Sequence, residues 1–259
     1  MLSRSQSKHI ASLLLGKFRN EEGLFVVEGV KMVGELLASK FEIKTIFATD
    51  TWITGKHLTP DRYLVDIVEI TESELEKISI LNTPNQVLAI AFSRTYKMPD
   101  FTGDEWVLAL DQIRDPGNMG TIIRTADWFG ISRIVAAIGT VDLWNPKVVQ
   151  ASMGSIFRMP VHYVELADYL SEAGKVMAVF GAFMEGSPIG DIQLDKKGVL
   201  VIGNESHGIS PRIEALVTQK ITIPSALAGD NGRAESLNAS LAAAILCYEI
   251  NRQNNLSGP

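Results

Sequence analysis

The chain has 259 residues, room for one large or two modest domains of the usual ~150-residue size. Apolar residues make up 46% and charged residues 21%, which excludes wholesale disorder. A net charge of −6 excludes a polycation that coats nucleic acid indiscriminately but leaves room for a local basic patch.

Residues 1–20 hold Arg4, Lys8, Lys17 and Arg19 and no acid. The apolar run 10–15 is too short for a secretory leader and is followed by charge, so it reads as an amphipathic helix of a cytoplasmic protein. Its cations form either a solvated face or an arm on RNA phosphates. Strand signals follow at 25–27, 44–48, 63–70 and 87–92, and helix signals at 31–39 and 72–80. These elements make an α/β unit over residues 1–94. Residues 95–105 are polar, carry Pro99 and Gly103, and read as a linker.

From residue 106 strands and helices alternate. Strands are predicted at 106–110, 133–137, 176–183, 198–202 and 220–223, and a final helix at 236–251. Several of these strands are continuously apolar, the pattern of a parallel sheet buried on both faces. Residues 106–259 therefore form a second α/β domain. The apolar runs 176–184 and 241–248 fall short of the ~18–20 residues that span a bilayer, so no membrane partner is expected. Cys247 is the lone cysteine, which excludes an internal disulfide and a Cys-based zinc site and fits a reducing compartment. His9, His57, His162 and His207 are scattered, so no metal is expected.

Three loops follow predicted strands, at the carboxyl ends where open parallel sheets bind ligands. In the first, Asn118 stands where a helix N-cap would and Gly130 where the helix would end. Met119, Ile122, Ile123 and Ala126 form the buried stripe between them, and Arg124 lies off it. Arg124 is either a surface ion-pair partner of Asp127 or a functional cation. In the second loop a buried strand ends at Gly203, where Asn204 and Glu205 emerge. The glycine spacing of Gly203 and Gly208 matches neither a dinucleotide fingerprint nor a P-loop. The third runs from Ile223-Pro224 to Ser236, a plausible N-cap, with Leu237, Leu241 and Ile245 forming an apolar edge.

Taken together, these segments resemble the SpoU (TrmH-like) branch of the SPOUT RNA methyltransferases. Asn118, Gly120 and Arg124 are similar to its first motif, Ile202-Gly-Asn-Glu-Ser-His-Gly208 to its second, and Ile223-Pro224 with Ser236-Leu237-Asn238 to its third. Phe25-Val-Val-Glu-Gly-Val-Lys31 resembles the start of the family's accessory RNA-binding domain. The resemblance implies a C-terminal α/β domain with a parallel sheet and a deep trefoil knot, and an N-terminal domain of ribosomal-protein-like α/β fold. It implies a homodimer that binds S-adenosylmethionine and methylates a ribose 2′-OH of rRNA or tRNA, with a lean toward large-subunit rRNA.

By the same resemblance Gly203, Asn204, Ile223, Pro224 and Leu237 hold the cofactor, and Asn118, Arg124, Glu205, Ser236 and Asn238 form the catalytic pocket. Arginine stays protonated, so Arg124 is expected to bind a phosphate and stabilise oxyanion charge rather than act as a base. Glu205 is expected to hold Arg124 through a charge-assisted bond. The stretch 225–235 is longer than in many relatives and holds Gly229, Asp230, Asn231, Gly232 and Arg233. Residues 1–95 carry 11 basic against 12 acidic residues and residues 96–259 carry 13 against 18, so RNA must be met by a local surface. Its candidates are Arg4, Lys8, Lys17, Arg19 and Lys31, with Arg114, Arg124 and Arg158. Two rivals stand beside this reading. A dinucleotide-dependent oxidoreductase lacks its glycine fingerprint here, and a non-catalytic RNA-binding or ribosome-assembly factor would use the same scaffold.

Overall fold

The structure, a computed structural model, describes residues 1–55, 65–98, 105–226 and 236–256. In chain order the first elements are α1 (Arg4–Ser12), α2 (Gly16–Glu22), β1 (Leu24–Glu28), α3 (Val30–Ala38), β2 (Ile43–Ala48), α4 (Asp50–Thr54), β3 (Asp66–Glu69), α5 (Glu72–Glu76) and β4 (Val87–Phe92). Then come β5 (Trp106–Leu110), α6 (Pro116–Trp128), β6 (Arg133–Ala137), α7 (Pro146–Ala151), β7 (Val161–Val164) and α8 (Leu166–Ala173). The chain ends with β8 (Val179–Pro188), β9 (Gly198–Ile202), α9 (Pro211–Glu214), β10 (Gln219–Thr222) and α10 (Ala239–Leu256). The start of the strand expected at 63–70 lies outside the described residues.

Two compact units result. The first comprises residues 1–95 together with 142–158. Its sheet runs β1-β4-β2-β3, with β4 antiparallel to both neighbours and β2 parallel to β3. Every residue of β1 is buried, so both faces need cover. Leu24 and Val26 pack with Ile10, Leu13, Leu88 and Ile90. On the other face the Phe25 ring lies 4.4 Å from Trp144, which the 142–158 segment supplies. That segment is tied in twice more. Arg19 Nη2 and Nε donate to Asp142 at 2.6 and 2.9 Å, and Arg158 Nη1 donates to Glu35 at 2.6 Å. Arg19, expected among the RNA contacts, is therefore only 4% exposed and internally neutralised, and Arg158 is committed to an ion pair.

The second unit comprises residues 96–141 and 159–259. Its six strands run β10-β8-β9-β5-β6-β7, every pair parallel. Strands β5, β6 and β9 are buried throughout, which is why they read as unbroken apolar runs. The stripe expected on α6 is buried, and Gly130 ends the helix region at φ 71°. Leu110 and Ile202 are register partners, so β5 and β9 end level and their loops leave the sheet side by side. Cys247 is buried, which pushes its thiol up to about 12 and keeps it a packing group.

His162 on β7 is 6% exposed, with Nδ1 3.2 Å from the Tyr96 carbonyl. Burial, and then the nearby Arg133 guanidinium, hold its pKa below the usual value against the raising effect of that bond. The unfolded chain therefore takes up the proton first as pH falls through about 6.5. Thermal midpoints measured by calorimetry are expected to fall as pH drops from 7 to 5, and the drop to be shallower in His162→Gln. An unchanged pH profile in the variant would exclude this assignment.

Candidate active site

The first loop leaves β5 at Asp111, a buried carboxylate whose Oδ2 accepts the Ser210 N–H at 2.7 Å. Gln112 follows in the left-handed region at φ 57°, an uncommon conformation for a side chain of its length. The helix cap is Asp115 rather than Asn118. Asp115 Oδ1 accepts the Asn118 N–H at 2.8 Å, and Pro116 opens the helix with its φ already set. Starting α6 there releases the Asn118 side chain for another task. Its Nδ2 donates to Glu205 Oε1 at 3.0 Å, and its Oδ1 accepts from Asn238 Nδ2 at 2.9 Å. The two ends of one amide thus join the three loops.

The second loop is a tight return. A Cβ on Gly203 would lie 2.2 Å from the Gly208 carbonyl carbon and 2.3 Å from the Ile209 nitrogen. Only glycine permits that backbone contact. Asn204 and Gly208 exchange two main-chain bonds of 2.9 Å across the turn. The Asn204 side chain locks it, with Oδ1 accepting the Ser206 N–H at 2.9 Å and Nδ2 donating to the Gln112 carbonyl at 2.7 Å. Glu205 projects from the tip. Besides Asn118 it accepts the N–H groups of Asp115 at 3.2 Å and Arg114 at 3.3 Å. Glu205 therefore holds the turn before α6 and does not hold Arg124. Arg124 is exposed on α6 and, among the described residues, has neither a hydrogen bond nor an ion pair, with Asp127 or with any other group.

The third loop follows β10, where Thr222 Oγ1 donates to the Met184 carbonyl at 3.0 Å. Ile223 is half-buried and Pro224 exposed. Gly229, Asp230, Asn231, Gly232 and Arg233 lie outside the described residues. Asn238, not Ser236, caps α10. Its Oδ1 accepts the Ser240 N–H at 2.9 Å and the Ser240 hydroxyl at 2.7 Å. Asn beats Ser here because its longer amide caps the helix with oxygen while its nitrogen reaches Asn118. Ser236 and Leu237 sit exposed just ahead of it.

The structure thus draws Asn118, Glu205 and Asn238 into one network, with Gly203 and Asn204 building the turn that carries Glu205. Arg124 and Ser236 stay outside the network. Sequence reasoning passed over Asp111, Gln112 and Asp115. The Asp115-Pro116 pair was the available cap signal. A positive φ at glutamine leaves no mark in a sequence.

The SpoU rRNA Methylase family model matches residues 105–248, more than half the chain. The chain belongs to that family. An MRM3-like substrate binding domain matches residues 5–89 of this SpoU protein. It is 30% identical over 236 residues to the 23S rRNA (guanosine(2553)-2′-O)-methyltransferase RlmP of Bacillus subtilis, covering 90% of this chain and 91% of that protein. It is 31% identical over 257 residues to a 23S rRNA (uridine(2479)-2′-O)-methyltransferase of Streptomyces viridochromogenes, covering 91% and 85% respectively. The solved structure of an AdoMet-bound rRNA methyltransferase from Sinorhizobium meliloti superposes with a TM-score of 0.84 at 30% identity, covering 97% of each chain.

The SpoU cofactor can be tested against the groups present. Among the described residues the main-chain N–H and C=O groups of Gly203, Ile223 and Leu237 make no backbone hydrogen bond. Main-chain polar groups at loop ends need water or a ligand as partner. Neutral donors and acceptors of this kind suit the edge of an adenine and a ribose, so the residues fit S-adenosylmethionine. No group of three or more His, Cys, Asp or Glu among the described residues is arranged to hold a metal ion.

Gly203→Ala is expected to break the return and displace Glu205, lowering S-adenosylmethionine affinity at least tenfold by calorimetry. Gly208→Ala has open space around its Cβ and bears only the strain of φ 68°, so it should cost about 1–2 kcal/mol of stability. Equal affinities for Gly203→Ala and the parent chain would refute the backbone-contact argument.

Proposed function

We propose that this SpoU protein transfers a methyl group from S-adenosylmethionine to a ribose 2′-OH of large-subunit ribosomal RNA. The observation that carries the reading is the Asn238–Asn118–Glu205 chain of side-chain bonds, which aligns three strand-end loops beside an uncommitted guanidinium on α6. When bound, the cofactor supplies a methyl already activated by its sulfonium. The protein's part is then positioning and charge. Gly203, Asn204, Ile223, Pro224 and Leu237 hold the donor, and Asn118 with Asn238 and Ser236 shapes the wall facing the ribose. Aligning the hydroxyl with the methyl supplies much of the rate. The Arg124 guanidinium grips the phosphate next to the acceptor ribose and stabilises negative charge growing on the 2′-oxygen. The proton leaves to a phosphate oxygen or to water. Glu205 is a positioning residue, since three N–H donors occupy its carboxylate. Both curated relatives named above carry 23S rRNA in their names, which favours ribosomal over transfer RNA as the acceptor.

The acting species is a cytoplasmic homodimer. The edge expected from Leu237, Leu241 and Ile245 exists, but it faces outward. Leu241, Ile245 and Tyr248 on α10 are 56%, 41% and 54% exposed, Leu237 just ahead of that helix is 48% exposed, and Trp128 on α6, one turn beyond Arg124, is 82% exposed. Apolar stripes of this kind mark interfaces. A second copy covering it sits beside the helix that carries Arg124. A trefoil knot built from the loops after β9 and β10 agrees with a strand order in which β8 lies between them.

Arg124→Ala is expected to lower single-turnover methylation at saturating 23S rRNA by about 10²–10³-fold while leaving S-adenosylmethionine binding intact. Near-normal turnover would sink the role given to Arg124. Light scattering after gel filtration is expected to give twice the chain mass for the parent protein and the single-chain mass for Leu241→Glu. A parent protein of single-chain mass would refute the dimer.

A further inference from the structure

Three of the five described arginines in the second unit are held by carboxylates: Arg133 by Glu105, Arg212 by Asp168 at 3.8 Å and Arg252 by Glu249 at 2.6 Å. Arg124 and Arg114 are not. In a unit whose other described guanidinium groups are held by carboxylates, two left uncommitted on one loop and its helix call for an anionic partner. We infer that Arg114 is a second phosphate-binding residue for the RNA acceptor, separate from Arg124 and acting on binding rather than on the reacting oxygen. This rests on the methyltransferase reading of the same site.

The local geometry supports it from three sides. The Arg114 main chain is fixed, because its N–H donates to Glu205 Oε2 at 3.3 Å, in the network that fixes Asn118. Its side chain is exposed, and among the described residues its guanidinium meets only the Gln112 Oε1, at 3.5 Å. A neutral acceptor at that distance is a weak hold, easily yielded to an anion. The nearby Glu205 carboxylate does not compete, since it is filled by Asn118 Nδ2 and the N–H groups of Arg114 and Asp115. A planar guanidinium on a fixed backbone is well suited to bidentate phosphate recognition. Arg124 lies eight residue steps after Pro116 on α6, about 12 Å along the axis, so the two cations address different phosphates of one strand.

The test compares the parent protein, Arg114→Gln and Arg114→Lys, with a 23S rRNA transcript as probe over a range of salt. Arg114→Gln is expected to weaken RNA binding about tenfold and to lower the slope of log affinity against log salt by about 0.7–0.9, one phosphate contact. Arg114→Lys should keep the slope and recover only part of the affinity, because it loses the planar fork. In turnover the loss should fall on KM for RNA, and S-adenosylmethionine affinity should not change. Unchanged RNA affinity and slope in Arg114→Gln would overturn the inference. So would equal losses of cofactor and RNA affinity, which would mark a loop-building role. If the parent protein transfers no methyl to RNA but the slope still changes, the methyl-transfer reading fails and the phosphate contact stands.

Discussion

The Asn118 side-chain amide joins residues 87 and 120 positions away in the chain, Glu205 through its nitrogen and Asn238 through its oxygen. Among the described residues no other group of the second unit ties the three strand-end loops together. The bond to a carboxylate is worth about 1.5–3 kcal/mol and the amide–amide bond about 1. Those energies are modest beside the core, but their effect is directional. They fix where Glu205, the turn before α6 and the start of α10 stand relative to one another. The sheet makes this possible by ending β5 and β9 level, and the backbone contact at Gly203 makes the Glu205 loop short enough to reach.

Charge is distributed with the same economy. The chain is acidic overall; among the described residues carboxylates hold Arg19 and Arg158 in the first unit and Arg133, Arg212 and Arg252 in the second. Arg94 rests instead on the Phe41 ring, 4.6 Å from its centroid. Against that background Arg114 and Arg124 are the two described arginines of the second unit that no carboxylate holds. A strong general field would draw RNA everywhere, whereas two cations at a site draw it to one place.

The first unit obeys a packing constraint of its own. A strand buried on both faces needs two covers, and its own helices and sheet partners supply one of them for β1. The other is built by Phe41 together with Trp144 of the 142–158 segment, which Arg19–Asp142 and Arg158–Glu35 hold in place. Two arginines that look like RNA contacts in a linear reading are consumed by this fixing.

Much was legible before any coordinates. Strands 106–110, 133–137 and 198–202 have their observed bounds because fully buried parallel strands write themselves as unbroken apolar runs. The order of the motifs with Asn118, Glu205 and Asn238 gave the family. What the linear chain could not decide was who holds whom. Glu205 was expected on Arg124 because opposite charges attract, but hydrogen-bond geometry assigned it to one amide and two main-chain N–H groups. Asn118 and Ser236 were expected as caps because residue type favours them, but Asp115 and Asn238 took those places where the helices actually begin. Local propensity acts over a few residues and is written in the sequence. Partners that meet across a sheet are chosen by strand order and register, which exist only once the chain has folded.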